Sequence, residues 1–284
     1  VLEADDAQVV GELPPVDARA LASEPGVTLD QVAIPGQPLQ FLINTTRFPT
    51  GSLAVRQALI HGTHREAIVD AVFQRFSPVA WGPLSSATSF YSTIVEGSYP
   101  YDIAQSRALL EQEGFVDADG NSYYDATDGD LTVRVIVPPW GSIPSVAQLM
   151  QDQWRAIGVR AELVSVPTRA ALFEVVSSGE YNLVAWYEFG SDPAFLSNYF
   201  ASSGTLNWTG YADPGLDALL EQAATANDSA TRAALHAQIQ QVVMSQALLL
   251  PIRDYVNIIG HSTRVTHLSF DYYGWFPLLP NIAY

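Results

Sequence analysis

Between Leu131 and Leu163 the apolar residues change period twice. Leu131, Val133, Val135 and Val137 alternate, Val146, Leu149, Met150, Trp154 and Ile157 keep helical spacing up to Gly158, and Val159, Ala161 and Leu163 alternate again. That pattern is strand, helix, strand. A further helix, "TRAALFEVVSSG", ends at Gly179 and feeds a strand over residues 181–186. Strands and helices alternating at these lengths call for a sheet covered by helices. In such sheets a ligand sits beyond the carboxyl ends of the strands. The segment lying there is "AWYEFGSDPAFLSNYF", residues 185–200, which puts aromatic rings, two acids and Asp192-Pro193 on one short loop.

The remainder of the chain fits that frame. "LQFLIN", 39–44, is a strand candidate running into a loop with Pro49 and Gly51. Ser52 opens a helix, and "THRE" restarts it at 63–66, where Thr63 and Glu66 have capping-box spacing. Pro78 and Pro83 bar regular structure around Trp81. "YDIAQSRALLEQEGF" is a short helix ended by Gly114. Asp213-Pro214 begins another helix as cap and first-turn proline, and Ser229 begins one that runs to about Ser245. "LLLPIRDYVNIIG" offers two strand pieces around Pro251, and the tail "DYYGWFPLLPNIAY" is aromatic and irregular. The first 40 residues, marked by five prolines, hold one helix and one strand.

At 284 residues the chain is long enough for two packed units or one large α/β unit. All 13 basic residues are arginine against 30 acids, a formal charge of −17. Nucleic acid is a poor partner for a chain with no visible basic face. The absence of lysine excludes a Schiff-base lysine and the lysine of a P-loop, and the absence of cysteine excludes thiol nucleophiles, Cys-ligated zinc and disulfides. No apolar run is long enough to cross a bilayer. The start at Val1, without methionine or a signal-peptide pattern, leads us to expect a processed product or an excised fragment.

Each candidate site residue carries two readings. Flat rings stack on a solute and a carboxylate in an aromatic cleft bonds it strongly, so Trp186, Tyr187, Glu188, Phe189 and Asp192 are expected ligand contacts. Alternatively Trp186 and Phe189 are core, and Asp192 caps a helix starting at Pro193. Trp81, Trp140 and Trp275 sit in loops, where they either touch ligand or cover the core, while the helical spacing of Trp154 makes it core. "DADGNSYYDATD" sets Asp117, Asp119, Asn121 and Asp128 in a faint echo of a calcium loop, but its glycine comes at the fourth place and its twelfth residue is a short aspartate. A solvated turn is the better reading. His61 and His64 are split by Gly62 and lack a zinc-site acid, and His261 and His267 have no better case. No metal or other cofactor is therefore expected. Hydrolysis is the rival class, a secreted carbohydrate-active enzyme using Glu188 and Asp192 as paired carboxylates. Both acids lie on one short loop, however, and no G-x-S-x-G elbow is present.

Taken in order, five stretches resemble the C-terminal half of a family 5 extracellular solute-binding protein: "FLINTTRFPTGSLAVRQALIHGTHREAIVDAVF", "YDIAQSRALLEQEGF", "LMQDQWRAIGVRAELV", "GEYNLVAWYEFGSDPAFL" and "TRAALHAQIQQVVMSQALLLPI". The resemblance implies a periplasmic-binding-protein-like (type II) α/β lobe, a mixed sheet flanked by helices, with the first lobe largely absent. By the same token, residues 1–41 would be a remnant of the first lobe leading to a hinge, 42–250 the second lobe, and 251–284 the return, with hinge strands near Phe41 to Asn44 and Leu249 to Ile252. It implies a non-enzymatic, extracytoplasmic receptor, tethered to the membrane through its missing N-terminus. That receptor would serve an ABC permease by closing on a peptide-like or oligosaccharide solute. Where the family carries an aromatic residue and then an acid facing the ligand, this chain has Trp186 and Asp192; ungapped counting puts Phe189 at the acid's place, with Glu188 beside it. Asn44, in the hinge strand, joins the expected ligand contacts.

Overall fold

The computed structural model describes residues 2, 6–127 and 129–283. In chain order, β1 (Val9–Val10), α1 (Pro15–Leu21) and β2 (Val27–Ala33) come before β3 (Leu39–Ile43). Three helices follow, α2 (Leu53–His61), α3 (Arg65–Phe73) and α4 (Ile103–Gln112), and then a small hairpin of β4 (Asp125–Ala126) and β5 (Gly129–Asp130). The strand–helix–strand unit read from the sequence is β6 (Thr132–Val137), α5 (Ile143–Arg155) and β7 (Arg160–Ser165), continued by α6 (Arg169–Ser178) and β8 (Leu183–Ala185). The chain closes with α7 (Leu196–Phe200), α8 (Pro214–Thr225), α9 (Ser229–Ser245), β9 (Leu249–Arg253) and β10 (Val256–Ser262).

Five strands form the main sheet in the order β7-β6-β8-β3-β9. β6 runs parallel to β7 and β8, whereas β3 runs antiparallel to β8 and β9, so the sheet is mixed as expected. The carboxyl ends of β6, β7, β8 and β9 therefore share one end of the sheet with the amino end of β3. We call that end the rim and the other the base. Period-two alternation sends side chains to opposite layers. Phe41, Ile43, Val135 and Leu183 enter a core with Leu59, Met150 and Trp154 from α2 and α5, while Leu42, Ile136 and Val184 enter a second core with Leu172, Phe200, Leu216 and Ile239 from α6 to α9. Each such side chain, fully buried, contributes about 1.5–3 kcal/mol.

The helix starts show which polar residues serve the frame. Ser52 accepts from Ala54 N and Val55 N, Asp213 from Leu216 N with Pro214 in the first turn, and Thr168 from Ala171 N. The expected capping box at Thr63 is absent. His64 caps α3 through Nδ1, and Thr63 is buried with its hydroxyl donating to Leu59 O and accepting from the Trp154 indole. The buried indole N–H outcompetes the helix start for that hydroxyl. Likewise Asp228, one residue before Ser229, caps α9. Pro251 does not divide the last strands either: β9 is an edge strand, where a missing N–H is tolerated, and the break falls at Asp254 and Tyr255.

A second, three-stranded antiparallel sheet, β1-β10-β2, lies beyond the rim, paired from Val256↔Ala33 to Ser262↔Val27. The chain passes between the sheets at residues 34–38 and 254–255, while the strands expected as hinges, β3 and β9, are integral to the main sheet. The tail packs beside the smaller sheet and leaves Tyr272, Phe276 and Leu279 about 70% exposed. Among the described residues, no helix is long and apolar enough to cross a membrane.

Candidate ligand-binding site

At the rim, the segments leaving four strands and entering a fifth converge. β6 leads to Trp140, β7 to Arg169, β8 to Trp186 and Tyr187, and β9 to Asp254 and Tyr255; Gly36 and Gln37 lead into β3. Trp140, Arg169, Trp186 and Tyr187 line an open cavity of about 360 Å³. Trp186 is 9% exposed. Its indole packs edge-on against Trp208, Trp140 and Phe173 at 5.1, 5.7 and 5.8 Å, and the Arg169 guanidinium lies over it at 5.2 Å. The two readings of Trp186 thus merge: most of the ring is core, and the rest is cavity wall.

Polar groups hold this wall in place. The Trp186 indole N–H donates to the Tyr199 hydroxyl at 2.8 Å, and that hydroxyl donates to Glu188 Oε2 at 2.7 Å. Burial, reinforced by the bond to Glu188, pushes the Tyr199 phenol well above its ordinary range, so it remains a donor. Tyr187 and Phe189 turn toward the passage between the sheets. Tyr255 meets both rings at 4.6 and 4.9 Å, and Trp275 meets Phe189 at 5.2 Å. Gly36, at φ +135°, makes this close approach possible, because a Cβ there would strike Phe189 Cα at 2.7 Å and the Glu188 carbonyl. Among the described residues, the buried side-chain amides of Gln37 and Gln40 and the Asp254 Oδ1 atom bond no protein group. Burial raises the Asp254 carboxyl, opposed by the Ser86 N–H and hydroxyl that bond its other oxygen.

Comparison with known proteins places this architecture. The family described as bacterial extracellular solute-binding proteins, family 5 (middle region), matches residues 1–208. The chain belongs to that family. It is 27% identical over 259 residues to Di/tripeptide-binding protein 1 of Pseudomonas aeruginosa, covering 88% of this chain and 46% of the relative. It is 28% identical over 228 residues to Heme-binding protein A of Haemophilus influenzae, covering 78% and 40%. The chain thus spans about half the length of the curated relatives it matches. The same fold recurs in NikA from Brucella suis in complex with Fe(III)-EDTA, with a TM-score of 0.87 at 17% identity, covering 99% of this chain and 58% of that one. It recurs also in the oligopeptide-binding protein AppA from Bacillus subtilis in complex with a nonapeptide, with a TM-score of 0.82 at 18% identity, covering 99% and 56%.

For a family 5 protein, several residues singled out in the sequence stand elsewhere. Asp192 caps the turn Pro193–Phe195 through Ala194 N and pairs with Arg232 at 2.9 Å. Burial pushes its carboxyl up, but the Ala194 N–H and Arg232 together hold it below its ordinary value, opposite to what a general acid needs. Asn44 lies at the base, donating to Tyr181 O and accepting from Thr46 N and Oγ1. Trp81 lies beneath Arg65, whose guanidinium sits 4.5 Å over its ring, donates to Ala80 O and Tyr99 O, and is pushed down to about 10 by burial. Trp154 is fully buried.

Asp117, Asp119 and Asp125 bring carboxylate oxygens within 4.8 Å of one another, engaged with Gly120, Asn121 and Ala118 amides; Asp128 lies outside the described residues. His261 pairs with Asp30 at 3.3 Å. A larger cavity of about 510 Å³ is present at the base, around Arg47, Phe48 and Phe115, where β3 alone of the main-sheet strands ends its carboxyl run. Sequence reasoning missed Arg169, Tyr199 and Tyr255. For Arg169 the signal was available: it begins the segment that follows the carboxyl end of a strand, the position at which ligands collect.

Proposed function

We propose that the protein carrying this chain is the substrate-binding component of an ABC importer and holds a small peptide-like or oligosaccharide solute without changing it. The observation that carries this reading is the aromatic cavity of Trp140, Trp186 and Tyr187 at the carboxyl ends of the strands. The names of relatives that bind di- and tripeptides and heme support a solute-binding role. In this reading the lobe expected over residues 42–250 takes in the whole of β3 and β9, the segments before β3 and after β9 contribute to the other lobe, and solute contacts from both lobes favour a closed form that a membrane permease recognises. The protein would work outside the cytoplasm, tethered by a segment that precedes this chain. No catalysis is assigned, since Glu188 is bonded to a tyrosine hydroxyl and Asp192 to a cap and an arginine.

Calorimetric titration of the protein with dipeptide, oligopeptide and oligosaccharide pools tests this. Saturable heat without product is expected from one pool. Trp140→Ala, at a half-buried ring, should weaken that binding by about tenfold, roughly 1.4 kcal/mol, while costing less than about 2 kcal/mol of stability. Product that accumulates with the native protein and vanishes with Glu188→Gln would overturn the reading in favour of a hydrolase.

A further inference from the structure

Resting on the solute-binding reading, we infer that Arg169 is the anion-recognising residue of the cavity, and that the solute carries a carboxylate beside a flat apolar group. In a chain with 13 arginines and 30 acids, most arginines have a clear structural task. Arg47, Arg75, Arg134, Arg160 and Arg232 pair with carboxylates. Arg56 and Arg65 are buried and bracket backbone carbonyls. Arg169 does neither. Among the described residues no carboxylate and no carbonyl bonds its guanidinium; it is held by ring faces alone, 5.2 Å over Trp186 and 5.4 Å over Phe173. It is exposed, and it is one of the four residues lining the cavity.

Those facts have a chemical consequence. A guanidinium held over a ring is fixed in place by the cation–π attraction while its N–H donors remain unengaged. A planar oxyanion, and a carboxylate above all, can accept two of them at once, a geometry that an ammonium cannot offer. The other three lining residues are aromatic, so the space beside the guanidinium favours a flat, poorly hydrated group. Glu188, one of the two acids in this loop, accepts from Tyr199 and forms no ion pair with Arg169 among the described residues. The helix α6 supports Arg169 as its first residue, with Thr168 capping the helix start, so the side chain is carried by a rigid element.

A carboxylate of this kind has two sources, the C-terminus of a peptide or a free aromatic acid. The experiment is calorimetry of the whole protein with three probes: alanyl-phenylalanine, its C-terminal amide, and 3-phenylpropionate. For a peptide source the acid should bind at least about tenfold more tightly than the amide. Arg169→Gln should bring that ratio to about one by weakening the acid far more than the amide, and Arg169→Lys should restore only part of it. Tight binding of 3-phenylpropionate that Arg169→Gln abolishes, with no peptide binding, would support the inference with the free acid as source. Equal binding of acid and amide, or a ratio that survives Arg169→Gln, would overturn the inference and leave the receptor reading intact. So would failure of all three probes while a neutral oligosaccharide binds. If none of these probes and none of the pools binds, both fall.

Discussion

The two ends of the main sheet are built from similar residues and use them in opposite ways. At the base, polar side chains close on the frame itself. Asn182 donates to Phe48 O and Thr50 Oγ1 and accepts from Arg134 N, Asn44 completes the neighbouring turn, and Arg56 holds the carbonyls of Thr50, Gly51 and Gln246. At the rim, the buried side-chain amides of Gln37 and Gln40 and one oxygen of Asp254 have no partner among the described residues, and Arg169 reaches the cavity with its donors open. Buried polar groups in folded proteins are nearly always bonded, so the unbonded amides and carboxylate oxygen clustered at the rim call for a partner, whereas the unbonded Arg134 Nε at the base belongs to a guanidinium that pairs with Glu162 and Glu180. The base is where the fold is held, and the rim is where we propose that the solute is held.

The largest expected effect tests the base. Asn182→Ala removes three bonds, one of them buried, and strands a part-buried N–H and carbonyl, which should lower stability by about 2–3 kcal/mol in urea denaturation. Solute affinity should change by less than about twofold, since the two ends share no partners. A collapse of affinity with stability unchanged would erase the distinction between the ends.

Beside the rim, pH probes the same contrast from the other direction. His236 on α9 is 1% exposed, stacks on Phe90 at 5.5 Å, and has neither ring nitrogen bonded among the described residues. Burial first, and then Arg232, lower it from 6.5 to about 4, against a smaller opposing pull from Asp192. A histidine lowered in the folded state takes up its proton more readily when unfolded. Its contribution is therefore fully present above about pH 6.5 and is lost as the pH falls toward 4, on the order of 3 kcal/mol. His236→Phe keeps the ring stack and should flatten the stability profile across that window relative to the native protein. Parallel profiles would mean that His236 is bonded when folded and does not share the open character of the rim.

How much of this was legible beforehand depends on how local the cause is. The strand–helix–strand unit, the caps at Ser52 and Asp213 and the burial of Trp154 follow from periodicity and near-neighbour chemistry, and each is where the sequence puts it. Thr63 was misread because its partner, the Trp154 indole, lies 91 residues away. Pro251 was misread because nothing local says that β9 is an edge strand. At the site, the loop after β8 was visible as an aromatic cluster. The place of Arg169 beyond the end of a strand was legible too, but its open donors were not, since they depend on carbonyls and carboxylates that fail to reach it in the folded chain.

The smallest expected effect separates the two acids of that loop. Asp192→Asn keeps the cap, because asparagine accepts the Ala194 N–H about as well as aspartate does. What it loses is the pair with Arg232, whose carboxylate partner is 57% exposed, so the stability change should not exceed about 0.5 kcal/mol. That contribution comes from a carboxyl held below its ordinary 3.8, so it is present above about pH 4 and disappears as the pH falls through the lower, folded value. Native and variant profiles should therefore differ slightly near neutrality and converge in acid. Solute affinity should stay within about twofold of the native protein, because Asp192 faces its own cap and Arg232 instead of the cavity. A tenfold loss of affinity would make Asp192 a ligand acid after all, and would move the boundary of the binding surface from Glu188 four residues further along the loop.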